Sequence, residues 1–193
     1  IWCERVFDPW TDMQDKMREY GFPLTALESG DPIRMFDFVG FTLQYEMSYT
    51  NVLNMLDLAH IPLRASERAE SDPIVIGGGP CAYNPEPMAD FFDLFNIGEG
   101  EEMLPEIVRL YIRMKDEGRY TRAAFLHEAA RTIEGVYVPS LYRVTYHEDG
   151  TIEAYTPIYD DIPKQVRRRI IKDMDKSYFP EKPVMPYIET VHD

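Results

Sequence analysis

The chain has 193 residues, of which 45% are apolar, and a formal net charge of −14 at pH 7. This length predicts one domain, or one domain with an appendage, and the apolar fraction is enough for a hydrophobic core. No apolar run approaches the roughly 18 residues of a membrane span, and the charged opening is unlike a signal peptide, so we expect a cytoplasmic protein without a membrane partner.

The charge is unevenly distributed along the chain. Residues 1–117 hold 22 Asp and Glu against 9 Lys and Arg, whereas residues 118–193 hold 12 against 11. The acidic front half argues against nucleic-acid binding there, because contacts with the phosphate backbone need clustered cations. We interpret the basic cluster Arg167–Arg169, followed by Lys172, as a solvated face or a salt-bridging strand rather than an RNA contact.

The first 28 residues predict a strand, a helix and a second short strand. Ile1–Phe7 alternates weakly, as a strand does. Asp8-Pro9 is typical of a helix start, because a capping carboxylate precedes a proline at the first helical position, and Gly21 is expected to end the helix. Phe22–Glu28 is predicted to be a short edge strand. Helical spacing predicts one buried face formed by four residues: Trp10, Met13, Met17 and Tyr20.

A buried strand is predicted at Phe36–Leu43, followed by a helix at Thr50–Ala59. Ser48 or Thr50 is a candidate helix cap. A capping hydroxyl at the carboxyl end of a sheet also suits an anion or the polar edge of a ligand. Capping and ligand binding both remain open for these two hydroxyls.

The stretch Asp72–Pro80 (DPIVIGGGP) is the centre of the predicted fold. Its apolar run ends abruptly in Gly77, Gly78 and Gly79, as expected of a strand buried on both faces of a parallel sheet. Glycine leaves no side chain between the backbone and whatever lies above the sheet. Ligands of open α/β sheets bind outside the carboxyl ends of the strands. We therefore expect the ligand face here.

The next segments continue the alternation of strands and helices. A short helix is predicted at Asn84–Phe92, a strand at Asp93–Ile97, a turn containing Gly98, Glu99 and Gly100, and an amphipathic helix at Glu102–Lys115. The whole pattern predicts an α/β fold with a doubly wound, mostly parallel flavodoxin- or Rossmann-like sheet over residues 1–117.

Residues 118–193 predict a small α+β extension and linker. A short helix is expected at Thr121–Arg131. A strand is expected at Val136–Val138, and a hairpin joins two further strands at Leu141–Tyr146 and Thr151–Tyr155. Val166–Ile171 is predicted to be another strand, and the linker ends in an extended, proline-rich segment at Ser177–Pro186.

No complete catalytic motif is present. The GGGP loop lacks the spacing of a dinucleotide fingerprint, and no phosphate-binding P-loop sequence occurs. The four histidines are not spaced as metal ligands, and no nucleophile–histidine pair can be proposed from these positions. Cys3 and Cys81 are expected to be free thiols. Glu99, Glu101 and Glu102 are explained by the dipole of the helix that they open.

Four segments together resemble one family, the cobalamin-binding-domain radical S-adenosylmethionine (SAM) proteins of bacteria, in an uncharacterised subgroup. The segments are Glu4–Trp10, Gly40–Arg68, Pro73–Glu102 and Pro186–Asp193. The resemblance implies an accessory cobalamin-binding-like region of an iron–sulfur enzyme that is not catalytic alone. The [4Fe–4S] cluster and S-adenosylmethionine belong to the parent protein only, because the cluster-binding Cys-x3-Cys-x2-Cys is absent here.

The same resemblance implies a radical SAM domain of the parent chain as partner, and an earlier strand and helix before Ile1. It also implies cobalamin as a ligand, without a histidine on cobalt, because the Asp-x-His-x-x-Gly motif is missing. The alternatives are an α/β interaction module without a small-molecule ligand and a flavodoxin-type flavin or phosphate binder. The candidate cofactor-binding residues are Thr42, Leu43, Ser48, Thr50, Gly77, Gly78, Gly79, Gly98, Glu99 and Gly100.

Overall fold

A four-stranded sheet lies at the centre of the computed structural model, which describes residues 1–178. Its strands are β1 (Phe38–Thr42), β2 (Ile74–Gly78), β3 (Leu94–Asn96) and β4 (Val136–Tyr137), in the order β1-β2-β3-β4. The first three strands are parallel, and β4 runs antiparallel to β3. The predicted α/β class with a mostly parallel sheet is confirmed.

Four helices and a hairpin surround the sheet. The helices are α1 (Thr11–Tyr20), α2 (Tyr49–Leu58), α3 (Gly100–Asp116) and α4 (Arg122–Thr132). The hairpin is formed by β5 (Tyr142–Tyr146) and β6 (Ile152–Pro157), which pair antiparallel as predicted. None of the helices in residues 1–178 combines the length and apolar character that a bilayer crossing requires.

One row of residues crosses the whole sheet and explains much of the core. Phe41 pairs with Gly77, Gly77 with Phe95, and Phe95 with Tyr137. Because residues in register point to the same face, the missing side chain of Gly77 leaves room for aromatic rings. The ring of Phe95 occupies that room together with the ring of Phe92, 4.8 Å away between centroids.

Strand β1 is one of the two edges of the sheet, and no strand of residues 1–178 pairs with its outer side. Ile74 N donates to the Asp37 carbonyl and Leu43 N donates to the Gly78 carbonyl. The backbone polar groups of parallel strands alternate in direction, so those of Phe38, Gly40 and Thr42 point away from β2. Among residues 1–178 these groups have no backbone partner. Cavities of about 320 and 400 Å³ flank this edge.

The back part of the chain contributes to the same sheet through β4 and α4. Arg122 of α4 reaches Asp93 at the start of β3, with 2.7 Å between Nη2 and Oδ2. The same Oδ2 accepts from Arg68 Nη1 and from Val75 N, both at 2.8 Å. All three charged side chains are buried. The division of the chain into residues 1–117 and 118–193 stays a prediction.

The predicted buried face of α1 is wrong for three of its four residues. Met17 is 6% exposed, whereas Trp10, Met13 and Tyr20 are 80%, 56% and 62% exposed. The helix begins at Thr11 rather than Pro9. Gly21 ends it, as predicted, and has the left-handed backbone conformation of a helix cap. Its helical period is correct, but no element of residues 1–178 covers most of that face.

Several other short elements also differ between the prediction and the structure. Ile1–Phe7 is not a strand, because it lacks a paired neighbour, and Asp8 accepts from two α2 side chains instead of capping α1. Phe22–Glu28 contains only a bridge from Thr25 to Pro32. Asn84–Phe92 contains only a 3-10 turn, and Val166–Ile171 only a bridge. Most of Ser177–Pro186 lies outside the described residues.

We expect Met17→Ala to lower the free energy of unfolding by about 2 kcal/mol, because a buried side chain is lost from the one covered position of α1. Trp10→Ala should change it by less than about 0.5 kcal/mol, because that larger side chain is exposed. Urea titration followed by circular dichroism measures both. A larger effect at Trp10 would mean that α1 is covered by another part of the protein.

Candidate functional site

The carboxyl edge of the parallel strands brings four of the predicted site residues together. Thr42 pairs with Gly78, and Leu43 N donates to the Gly78 carbonyl at 2.7 Å. The chain then turns at Gly79, whose φ is +91°, and Cys81 N donates to the Leu43 carbonyl at 3.0 Å. The strand end and the turn after it are therefore fixed by backbone hydrogen bonds.

The three glycines of this turn have different surroundings. A Cβ on Gly77 would lie 2.7 Å from Phe95 Cδ1, and a Cβ on Gly79 would lie 3.0 Å from the Leu43 carbonyl oxygen. A Cβ on Gly78 would meet nothing closer than Asn96 Cβ at 3.9 Å. Gly77 and Gly79 are therefore required by packing and by backbone conformation, and Gly78 is the one with open space above it.

Asn96 adds an unused acceptor next to this open position. Its Oδ1 is buried and has no hydrogen-bond partner within residues 1–178. Most buried polar side-chain atoms have a partner, so an unpaired one calls for an explanation such as a bound polar group. Sequence reasoning missed Asn96, which occupies an ordinary position in a short strand and belongs to no motif.

The two predicted capping hydroxyls lie at the start of α2. Ser48 Oγ donates to the Tyr45 carbonyl at 2.8 Å and makes no cap bond. Thr50 is exposed in the first turn of the helix. Between them, Tyr49 lies close to Cys81; burial, and then this neighbour, raise the pKa of Tyr49. The prediction that the hydroxyl of Ser48 or Thr50 caps α2 is wrong, because neither accepts a hydrogen bond from an N–H of the helix within residues 1–178.

The turn at Gly98, Glu99 and Gly100 is covered by a later part of the chain. We call residues 166–171 the strap. Arg169 N donates to the Ile97 carbonyl at 2.8 Å, and Glu99 N donates to the Arg169 carbonyl at 3.1 Å. The Arg169 side chain pairs with Glu102 and Glu106 at 2.8 and 2.7 Å. The strap therefore lies where we predicted part of the ligand site.

The backbone conformation of Gly98 and its lack of a side chain allow the strap to pass close to it. Its φ is +116°, and a Cβ there would lie 2.2 Å from the Arg169 carbonyl oxygen. Ile171 N donates to Glu99 Oε2, and the Ile171 side chain is buried. Glu99 is thus a contact of the strap, whereas Gly100 is open, since a Cβ added there would meet nothing within 4 Å.

A cavity of about 510 Å³ lies beside this edge. It is lined by the Tyr83–Glu86 turn, by Ile97 and by Lys164 just before the strap. Three further lining residues, Tyr137, Tyr142 and Tyr155, form what we call the tyrosine group. Tyr155 donates to the Tyr137 hydroxyl, and Tyr137 in turn donates to Glu86 Oε1 at 2.7 Å. Burial, and then these hydrogen bonds, raise the pKa of Tyr137. Sequence reasoning missed this group, because its members come from separate segments.

Metal coordination has no support in the described part of the chain. Within residues 1–178, no three His, Cys, Asp or Glu side chains converge on a point where an ion would be held. The chemistry offered at this edge is therefore backbone contact at Gly78, hydrogen bonding at Asn96, and the polar and aromatic lining of the adjacent cavity.

Comparison with known proteins identifies relatives. Residues 1–139 match the family model described as "Radical SAM proteins, N-terminal". An uncharacterized protein of Methanocaldococcus jannaschii is 31% identical over 96 residues, which are 48% of this chain and 20% of that protein. The chain thus spans about a fifth of the length of this curated relative. No solved structure matches it.

Proposed function

This chain belongs to the family of N-terminal regions of radical SAM proteins, and from that premise we propose that it is an accessory region that lies against the radical SAM domain of its parent chain and is not catalytic alone. The [4Fe–4S] cluster and S-adenosylmethionine are then held by that other domain. We propose a bacterial, cytoplasmic enzyme as the parent.

The observation that carries this proposal is the strap. It crosses the carboxyl edge of β3 and is held there by two backbone hydrogen bonds and by the Arg169 side chain on α3. The strap thus runs along the edge where α/β sheets bind their ligands. We propose that the radical SAM domain covers this edge.

The free edge of β1 supports a further part of the proposal. We propose that the strand and helix expected before Ile1 complete the sheet by pairing with β1. The outward backbone groups of Phe38, Gly40 and Thr42 then obtain partners, and Ile1 and Trp2 already line one of the flanking cavities. An unpaired parallel edge strand is otherwise open to unwanted pairing.

Cobalamin is the ligand that the resemblance implies, and the edge fits it only in part. The spaces at Gly77, Gly79 and Gly98 are filled by Phe95, Leu43 and Arg169 respectively. These three filled positions leave no room for a group inserted between strands of the sheet. The open Gly78 and the unpaired Asn96 acceptor fit a group that rests on the edge. We therefore propose surface contact for cobalamin, if the parent protein holds it.

The second candidate function is an interaction module without a small-molecule ligand. The filled glycine positions favour it, because each has a packing role that needs no ligand. In this alternative the carboxyl edge contacts the radical SAM domain or its substrate directly. The flavin or phosphate binder has less support, since the caps at Ser48 and Thr50 that it would use are not formed within residues 1–178.

Cobalamin retention by the full-length parent protein distinguishes the two candidates. The protein is mixed with hydroxocobalamin and desalted, and its visible spectrum is recorded. If the ligand rests on the edge, we expect Gly78→Val to reduce retention at least tenfold, because the new side chain occupies the open space. Gly40→Val, at the free edge of β1, is the matched control and should retain the ligand. A wild-type protein that retains none supports the interaction module.

A further inference from the structure

A second cavity, of about 430 Å³, lies on the other side of the tyrosine group, between the β5–β6 hairpin and the turn at Glu86. Two carboxylates, Glu86 and Asp90, contribute to its lining. No lysine or arginine is among the described residues that line it. Its aromatic walls come from both sides and include Phe91, Tyr142, Tyr146 and Tyr155.

The Glu86 carboxylate forms no ion pair with a cation of residues 1–178 at this cavity. Tyr137 donates to Oε1 at 2.7 Å, and the Tyr155 hydroxyl, which donates its single proton to the Tyr137 oxygen, lies 3.3 Å from the same Oε1. The second oxygen, Oε2, accepts no hydrogen bond from residues 1–178. Tyr137 is 5% exposed, so the carboxylate is fixed by a buried neutral donor and not by a cation. A ligand that brings a positive charge would supply the missing partner.

Arg64 already makes the corresponding contacts at the rim of the cavity. Its Nη1 lies 2.5 Å from Asp90 Oδ2, and its guanidinium lies 6.0 Å from the centre of the Phe91 ring. The protein itself therefore uses the attraction of a cation to an aromatic face and to a carboxylate at this rim. The inner part of the cavity offers the same pair of chemistries, with Glu86 and the tyrosine rings.

We propose that this cavity binds a small organic cation of the alkylammonium class. Aromatic rings together with a carboxylate recognise such cations through the ring quadrupole and direct charge attraction. An anion would be repelled by Glu86, whereas the charge of Asp90 is already balanced by Arg64. The net charge of −14 also raises the local concentration of cations around the whole protein. This cavity shares Glu86 and three tyrosines with the cavity beside the carboxyl edge, but the proposal does not depend on cobalamin.

The test compares two probes of nearly equal shape on the full-length parent protein. Choline carries a positive charge, and 3,3-dimethylbutan-1-ol is its neutral counterpart. By isothermal titration calorimetry, we expect choline to bind at least tenfold more tightly than the alcohol. Glu86→Gln should weaken choline binding at least tenfold and leave the affinity for the alcohol unchanged. Glu148→Gln, on the exposed turn of the hairpin, is the matched control and should bind choline like the wild type.

A second variant guards against a folding defect. Tyr155→Phe removes the hydroxyl that donates to Tyr137 but keeps the ring and the Tyr137 bond to Glu86, so we expect choline affinity to fall less than in Glu86→Gln. Thermal unfolding of each variant checks that the fold is intact. Equal affinity for the two probes, no saturable choline binding, or unchanged choline affinity in a folded Glu86→Gln protein would each overturn the proposal.

Discussion

Replacing Asp93 with alanine should lower the free energy of unfolding by about 3–5 kcal/mol, because it leaves two buried guanidinium groups without their carboxylate. The side chains of Asp93, Arg68 and Arg122 are only 2%, 0% and 8% exposed. Burial lowers the pKa of Arg68, and the charge of Asp93 opposes that shift. Asp93 also accepts a hydrogen bond from Val75 N at 2.8 Å, so the substitution removes a backbone partner as well.

Urea titration with circular dichroism measures this loss. Asp57→Ala is the matched control, since Asp57 pairs with Arg18 at 3.1 Å on the surface, where both side chains are about half exposed. Exposed ion pairs typically contribute less than about 1 kcal/mol. If the two variants lose the same small amount, the buried cluster does not have the stabilising role that its geometry indicates.

Replacing Gly98 with alanine should have the second-largest effect and should release the strap. Alanine at a φ of +116° is strained, and its Cβ would lie 2.2 Å from a backbone oxygen of Arg169. Strain of this kind costs about 1–3 kcal/mol, and backbone cannot move aside as easily as the end of a flexible side chain. We therefore expect the free energy of unfolding to fall by about 2–4 kcal/mol if the strap stays in place. If the strap detaches, the fall should be smaller.

Hydrogen exchange separates these outcomes, since the amides of Glu99, Arg169 and Ile171 should exchange much faster when the strap is detached. Gly100→Ala is the matched control, because it lies two residues away in the first turn of α3 with open space around it. Alanine favours helix over glycine by up to about 1 kcal/mol, so this variant should be unchanged or slightly stabilised. Slow exchange at all three amides in Gly98→Ala would show that the glycine is not needed for the crossing.

The parts of the fold that could be predicted are those fixed by local pattern. The run before Gly77 has the composition of a buried parallel strand, and it forms β2. The apolar positions of α3 recur at helical spacing, as expected of the amphipathic helix predicted there, and five of them are buried: Met103, Ile107, Leu110, Tyr111 and Met114. In both cases a residue's neighbours in sequence decide its environment.

The parts that could not be predicted depend on distant segments. Trp10 and Met13 have the period of a buried face, yet period alone does not say whether another element covers it. The strap makes a single bridge to Gly98, which leaves no alternation in the sequence to detect. Glu86 meets Tyr137 and Tyr155 across separations of 51 and 69 residues. No motif connects such positions, so only the folded chain brings them together.

The ion pair between Arg122 and Asp93 also limits where the polypeptide can be truncated. A fragment that stopped at residue 117 would lack one of the two guanidinium groups on Asp93 and would leave β3 without its outer neighbour β4. A fragment that stopped before Arg169 would uncover the buried side of Gly98. Anyone preparing a shortened version for crystallisation or binding assays should keep every residue through Ile171.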